Sequence, residues 1–267
     1  MGDLHGALRA FIAAALASWV LLPLAVTTLY AFSTLDDYYD RSKVLPVNYT
    51  LEQIRKLWVL GAGEAIVNSV LVGVGTVALS FLLGLPAGYS FARYVFRGKD
   101  IILLGIIATR MFPVIVIAVS LLKTFFRLGL NDTLVGVILA HTAMALPFVI
   151  LISASIFAGI PRELEEAGLV FGLNRAQVFF RIVMPMAAPG LAAAAMFTFL
   201  LSWNEVFIAS VLTLENRTLP AFILTSALAT PHDPLRFAAG FLMIVPALLF
   251  ILLARRYLIT MWGMAAR

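Results

Sequence analysis

Long apolar runs dominate the chain, and polar residues collect between them. Five runs of 18 to 29 residues contain no Asp, Glu, Lys or Arg, and a sixth, 101–122, is interrupted only by Arg110. A helix needs about 20 mostly apolar residues to cross a bilayer, where unpaired backbone groups are not tolerated. The pattern predicts an all-α membrane protein with six transmembrane helices, in a single domain over 1–267. The predicted spans are about 10–33, 66–92, 101–122, 134–158, 187–211 and 237–257.

The composition agrees with a membrane location and excludes several other classes. Hydrophobic residues make up 62% of the chain and charged residues 12%, against roughly 45–50% and 25% in soluble domains. There is no cysteine, so a disulfide-stapled secreted domain is excluded. The net charge of +5 fits cationic loops beside anionic lipid better than nucleic-acid binding. The first apolar run is longer than that of a signal peptide, so we interpret it as a retained anchor.

The distribution of Lys and Arg between the predicted spans indicates the orientation. With the N-terminus inside, ten of these residues lie on the cytoplasmic side and eight on the outer side. Cytoplasmic loops carry the excess of Lys and Arg. The sequence therefore predicts that both termini are cytoplasmic.

The cytoplasmic loop 160–186 has the strongest local signals outside the spans. Pro161 suits the start of a helix, and three carboxylates follow in its first turn, where the helix dipole favours them. Gly172 can adopt a positive φ and end this helix, and Asn174 can cap a second one. Met184-Pro185 is expected to turn the chain toward the fifth span. Local physics alone leaves two interpretations open, a solvated connector and a protruding functional element.

The spacing within this loop resembles the EAA loop in the membrane subunits of bacterial ABC importers. That pattern is Glu-Ala-Ala, three residues, Gly, nine residues, Ile, one residue and Leu-Pro. The matching positions here are Glu166-Ala167-Gly168, Gly172, Ile182 and Met184-Pro185. Gly168 replaces the second Ala and Met184 replaces Leu, and Phe171-Gly172-Leu173 stands where the family usually has Asp-Gly-Ala.

Further motifs are similar to those of the MalG-type permeases, the branch that serves maltose and related sugars. They are Asn68-Ser69, Tyr89-Ser90-Phe91-Ala92-Arg93-Tyr94, Met111-Phe112-Pro113, Leu128-Gly129-Leu130-Asn131-Asp132-Thr133, Ile160-Pro161 with Leu164-Glu165-Glu166-Ala167, and Ser202-Trp203-Asn204-Glu205.

This resemblance implies the type I ABC importer permease fold, with the EAA loop as a coupling helix that docks on a cytoplasmic ATPase. It implies a subunit in the bacterial cytoplasmic membrane that is not an enzyme and that forms half of a path for a carbohydrate or polyol. The implied partners are a second, MalF-type permease, two ATPase subunits, an extracytoplasmic solute-binding protein and membrane lipids. ATP and Mg are expected on the ATPase, and no cofactor on this chain, which has no Walker A run. The implied coupling residues are Glu163, Glu165, Glu166, Ala167, Gly168, Phe171, Gly172, Arg175 and Pro185.

Candidate residues for the substrate path are polar or aromatic groups at unusual depth in the spans. They are Arg110, Met111, His141, Trp203, Asn204 and Glu205. Intramembrane charges usually face a cavity or a partner, although Arg110 can instead snorkel toward the interface. Trp203 suits stacking on a sugar face or an interfacial aromatic belt, and His141 suits an interhelical hydrogen bond. No spacing in the chain suggests a metal site or catalytic residues.

One alternative function stays open, and two others are opposed by the sequence. The EAA pattern specifies the coupling and not the cargo, so a permease for a non-sugar solute stays open. An ion-coupled secondary carrier is less favoured because the chain has no internal repeat. An intramembrane enzyme is opposed by the lack of a nucleophile–base pair or metal constellation.

Overall fold

The structure is a computed structural model that describes residues 2–227 and 233–265. The described residues are helical apart from short connections and one isolated bridge between Ser33 and Tyr49. The first helices are α1 Gly2–Ala31, α2 Leu35–Tyr39, α3 Glu52–Val59, α4 Ala62–Arg93, α5 Lys99–Ala108, α6 Val114–Leu128 and α7 Leu134–Ala158. They are followed by α8 Arg162–Val170, α9 Arg175–Val178, α10 Met184–Trp203, α11 Phe207–Leu212, α12 Leu219–Phe222 and α13 Asp233–Ala265.

Several of these helices are long and apolar enough to cross a membrane. Within the described residues they are Leu8–Ala31, Ala62–Arg93, Leu134–Ala158 and Arg175–Trp203, and the bent pair α5–α6 makes a fifth if it is counted as one span. The predicted last span, 237–257, lies within α13. A multi-pass, all-α architecture is thereby confirmed, and the count of six spans stays a prediction.

The predicted span 101–122 is not one straight helix. A short 3₁₀ turn, Thr109–Met111, follows α5, and α6 then leaves at an angle of 91°. Phe112 is extended, with φ −73° and ψ 133°. The physical reason is Pro113, because a proline disfavours the α conformation of the residue before it and supplies no N–H.

The predicted span 187–211 has different bounds in the structure. Its helix begins at Arg175, runs through α9, a π-helical turn at Phe179–Val183 and α10, and ends at Trp203. A separate helix, α11, follows after Asn204. The chain breaks there because the Glu205 carboxylate accepts the N–H groups of Ile208 and Ala209, at 2.9 and 3.1 Å, and so starts a new helix.

The chain divides into two compact units, and the first consists of 1–63 and 223–246. The segment after α1 is held by the buried carboxylate of Asp37, which accepts hydrogen bonds from Lys43 Nζ, from the Val47 N–H at 2.7 Å and from Asn48. The Lys43 ammonium, aided by the backbone N–H of Asn48, holds the pKa of Asp37 well below its usual range. The network fixes the course of residues 37–48 without any sheet.

The second unit consists of 64–222 and 247–267 and contains two apolar clusters. One is built on Val72, Phe125, Val137 and Ile208, and the other lies where α7 leads into α8, around Phe157 and Val183. Helices α4 and α7 approach closely because α4 presents Gly84 and Gly88 to α7. A Cβ on Gly84 would lie 2.7 Å from Val149 Cγ1, and one on Gly88 would lie 2.0 Å from Ser153 Oγ. Small residues four apart allow such close contact in membrane helices.

A clamp joins the loop before α7 to the segment between α11 and α12. Asp132, at φ 53°, accepts the N–H groups of Leu214, Glu215 and Asn216 at 2.9 to 3.0 Å through one carboxylate oxygen. Burial opposes the charged form, but these backbone donors outweigh it and lower the pKa of Asp132 below its usual value of 3.8. The same segment is tied to α4, because the side chain of Ser69 accepts the Leu219 N–H at 2.7 Å.

Candidate functional site: the coupling loop and the intramembrane polar groups

The first helix of the loop, α8, begins and ends as the sequence predicts. Pro161 lies at its N-cap with φ −57°, and Gly172, directly after the C-cap Phe171, has φ +87°. The Leu173 N–H bonds the Gly168 carbonyl and the Gly172 N–H bonds the Leu169 carbonyl, each at 3.0 Å. These two bonds form a Schellman motif, which requires a left-handed residue at the position of Gly172.

The second helix of the loop is anchored by a capping box. Asn174 Oδ1 accepts the Gln177 N–H at 2.9 Å, and Gln177 Oε1 accepts the Asn174 N–H at the same distance. The prediction that Asn174 caps this helix is thereby confirmed.

Pro185 does not turn the chain, contrary to the prediction. It lies in the first turn of α10, directly after the π-helical turn Phe179–Val183, in which the Met184 N–H bonds the carbonyl of Phe179. A proline inside a regular helix clashes with the carbonyl four residues earlier and lacks a donor. The wider π-helical turn accommodates both defects, so the helix runs on through Pro185.

One side of the loop is exposed and combines carboxylates with apolar groups. Glu163, Glu166 and Ala167 of α8 are exposed, as are the tip residues Val170 and Phe171, at 85% and 87%. Gly168 faces the opposite way and is buried, because a Cβ there would lie 2.6 Å from Ile182 Cδ1. Glycine in place of the usual Ala thus lets α8 lie directly on the second helix of the loop.

Two residues of the predicted coupling set face the protein itself. Glu165 lies between Arg93 and Tyr89 of α4, and its side chain is only 12% exposed. Arg175 donates to Tyr94 Oη at 3.3 Å. No role for Arg93 or Tyr89 was predicted from the sequence. The motif at 89–94 indicated that this segment matters, but no nearby residue indicated that Arg93 and Tyr89 contact Glu165.

Among the predicted path residues, Arg110 lies at the 91° break between α5 and α6. Its guanidinium donates to the Met144 carbonyl at 2.8 Å and lies 4.2 Å from the centre of the Phe148 ring. Both partners are on α7, in the turn weakened by Pro147. Arg110 lines a mostly apolar cavity of about 450 Å³ between α5, α6 and α7. Met111 beside it is 82% exposed.

The remaining path residues form a largely buried group where α10 ends. The two ring nitrogens of His141 contact Ser202 Oγ at 2.8 Å and Glu205 Oε2 at 3.2 Å. Trp203 is 1% exposed and stacks on Phe199, with ring centres 5.9 Å apart. Asn204 is exposed, and its amide donates to the Leu200 carbonyl. His141, Trp203 and Glu205 therefore support the helix break from inside and do not line the cavity at Arg110.

The described residues contain no group of three or more His, Asp and Glu side chains that could hold a metal ion.

Comparison with known proteins identifies the family. Residues 80–259 match the family described as the binding-protein-dependent transport system inner membrane component. The diacetylchitobiose uptake system permease protein NgcG of Streptomyces coelicolor is 31% identical over 211 residues, covering 79% of this chain and 69% of that protein. The trehalose transport system permease protein SugB of Mycobacterium tuberculosis is 31% identical over 228 residues, covering 81% of each.

The fold agrees with this assignment. A crystal structure of a bacterial ABC transporter involved in the import of the acidic polysaccharide alginate superposes with a TM-score of 0.76, at 19% identity and 96% coverage of both chains. The chain therefore belongs to the family of inner membrane components of binding-protein-dependent transport systems, and it is an ABC importer permease subunit rather than an enzyme.

Proposed function

We propose that this chain forms half of the translocation path of an ATP-driven importer for a carbohydrate or polyol. A second, MalF-type permease completes the path, an extracytoplasmic binding protein delivers the solute, and two cytoplasmic ATPase subunits bind ATP and Mg. The single observation that carries the coupling role is the exposed side of α8 with its protruding tip.

The exposed side of α8 has the composition of a docking surface. Val170 and Phe171 expose their apolar side chains where the helix ends, and buried apolar anchors supply most of the energy at interfaces. Glu163 and Glu166 lie on the same side, where they can pair with basic groups and fix the orientation of the complex. The Schellman motif at Gly172 holds the tip in place.

The break between α5 and α6 is the proposed path-lining element of this subunit. Non-helical backbone at membrane depth is tolerated only where protein covers it or where it borders water. The cavity at this break contains one charged side chain, Arg110. We propose that Arg110, Met111 and the exposed Asn204 face the solute, and that His141, Trp203 and Glu205 hold the break between α10 and α11.

The cargo assignment is supported by the relatives whose names refer to diacetylchitobiose and trehalose. A non-sugar solute is the alternative, because the coupling loop carries no information on cargo. The proposed topology has six spans and cytoplasmic termini in the bacterial inner membrane, which puts α8 on the side of the ATPase.

The test is reconstitution of the whole importer with the second permease, the ATPase and the binding protein from neighbouring genes. We expect these subunits to copurify with the chain, and ATP hydrolysis to rise when the binding protein carries a sugar. Glu166→Lys should release the ATPase, because it places a cation where a carboxylate meets basic groups. Asp100→Lys is the matched control, since it reverses an exposed carboxylate near the start of α5 in the preceding cytoplasmic loop.

Three results would decide against parts of this proposal. If the wild-type chain retains no ATPase, the importer assignment is wrong. Equal ATPase retention by wild type and Glu166→Lys refutes the docking surface. Stimulation by amino acids and by no sugar in the panel would favour the alternative cargo.

A further inference from the structure

The inner end of α4 is joined to the coupling loop by a nearly buried ion pair. Arg93 Nε and Glu165 Oε1 are 2.5 Å apart, and their side chains are 8% and 12% exposed. The guanidinium also donates to the Ile160 carbonyl at 3.0 Å, just before α8 begins. Arg93 thus holds both the entry of α8 and its first turn.

The second oxygen of the Glu165 carboxylate is also occupied. It accepts the hydroxyl proton of Tyr89, one turn before Arg93 on α4. The Tyr89 ring packs edge-on against Phe157 and Phe179, with ring centres 5.6 and 4.9 Å apart. These rings come from the end of α7 and from the second helix of the loop, so the hydroxyl that meets Glu165 is itself held by the core.

A second set of contacts joins α8 to α4, and in this set α8 donates the hydrogen bonds and α4 accepts them. Arg162, the first residue of α8, donates to the Arg93 carbonyl at 3.1 Å and to the Ala92 carbonyl at 3.4 Å. These carbonyls end α4 and have no partners within that helix. On the other side of the loop, Arg175 donates to Tyr94 Oη. Polar contacts therefore connect the first turn of α8 to α4, and the second helix of the loop to Tyr94, the residue that follows α4.

We propose that Glu165 is a positioning residue that makes α8 and α4 move as one body, and that it does not contact the ATPase. This inference rests on the proposed coupling function of the loop. Successive residues on a helix point about 100° apart, so Glu165 faces α4 while Glu166 faces outward. A displacement of α8 is then transmitted to α4 through the Glu165–Arg93 pair. Helix α4 in turn packs on α7 at Gly84 and Gly88.

The test separates docking from transmission in the complete importer reconstituted into vesicles. Glu165→Gln leaves Arg93 with an uncharged partner and loosens the connection. We expect ATPase copurification to stay at the wild-type level, while solute transported per ATP hydrolysed falls by about fivefold or more, a usual size for coupling between sites. Asp100→Asn, the same loss of charge at an exposed site in the neighbouring loop, should leave the ratio unchanged.

A covalent bridge provides the rescue. The chain has no cysteine, and Tyr94 and Arg175 are both exposed, so a bifunctional thiol reagent can join Tyr94→Cys to Arg175→Cys. In the Glu165→Gln background we expect the reagent to raise transport per ATP, because it restores the attachment without restoring the charge. A role in folding alone would give no such recovery.

The possible results distinguish this inference from the proposed function. A wild-type transport ratio in Glu165→Gln, loss of the ATPase from it, or no recovery on bridging each overturns the inference while the wild-type importer still works. If the single variant does not assemble, Arg93→Met with Glu165→Met removes both buried charges, and the same ratio and the same bridge are measured in that background. Failure of the wild-type chain to bind any ATPase would refute the proposed function instead.

Discussion

Substitution of Gly88 by alanine tests the close packing of α4 on α7. The added Cβ would lie 2.0 Å from Ser153 Oγ, 3.0 Å from the backbone nitrogen of Ala154 and 3.0 Å from the Ile150 carbonyl oxygen. The serine hydroxyl cannot swing away without cost, because it donates to the Val149 carbonyl at 2.6 Å. Backbone atoms of α7 cannot move independently of the helix, so α4 and α7 must separate.

The expected size of the effect follows from this geometry. Overpacking of a well-packed contact costs about 1–3 kcal/mol. Gly105 on α5 provides the matched control, because a Cβ there meets nothing within 4 Å. Alanine in place of glycine within a helix is favourable by roughly 0.5–1 kcal/mol when it fits. The two substitutions are chemically the same and should therefore change stability in opposite directions.

The measurement is the thermal midpoint for loss of monodisperse protein in detergent. We expect Gly88→Ala to lower the midpoint and Gly105→Ala to leave it unchanged or raise it. Gly88→Ala should also destabilise a Ser153→Ala background, since the contacts with Ala154 and Ile150 persist there. Equal midpoints for the two glycine variants would show that α4 and α7 do not meet at Gly88.

Three further outcomes follow from other parts of the structure. Gly172→Ala should weaken ATPase copurification, because a residue with a side chain pays about 1–2 kcal/mol for the left-handed backbone, although a Cβ there meets nothing. Gly98→Ala introduces the same strain at φ +84° but should leave ATPase copurification unchanged. Equal losses of the ATPase in the two variants would refute this prediction. Asp132→Asn should lower the thermal midpoint at neutral pH. Since the folded pKa of Asp132 is below its usual value of 3.8, the stabilisation is present above 3.8 and is lost as pH falls below it through the folded pKa. A difference in midpoint between variant and wild type that does not shrink as pH is lowered through this range contradicts the expectation. Arg110→Leu should reduce transport and leave the ATPase bound. Transport and ATPase copurification are measured on the same preparation of the variant. A variant that transports at the wild-type rate would show that Arg110 does not line the path.

Features that depend on a few adjacent residues could be predicted from the sequence. The apolar runs marked the long helices because the bilayer requires both length and internal hydrogen bonding. Gly172 and Asn174 marked the ends of the loop helices because their preferences for a positive φ and for capping are local. Pro113 is a local signal for a break as well, but a proline alone does not set the angle of 91°.

Features that depend on partners far along the chain could not be predicted. Glu165 looked like its neighbour Glu166, yet its partner Arg93 lies 72 residues earlier, and no helical periodicity indicates which of two adjacent carboxylates faces inward. The polarity of Glu205 suggested a path-lining group. In the structure it is buried, because His141 and the start of α11 satisfy its carboxylate. Trp203 was a candidate for the path as well, and it too is buried, at 1% exposure.

The π-helical turn at Phe179–Val183 determines the direction in which the preceding loop points around the axis of α10. Such a turn is equivalent to one residue inserted into a regular helix, and each residue of an α-helix turns the following part by about 100°. Deleting a single residue here would therefore rotate Asn174 and the entire α8 element about the axis of α10 and point Phe171 in a new direction. For chimeras that exchange this loop between permeases, the safe junction lies after Pro185, so that the loop is transferred together with the π-helical turn that sets its direction.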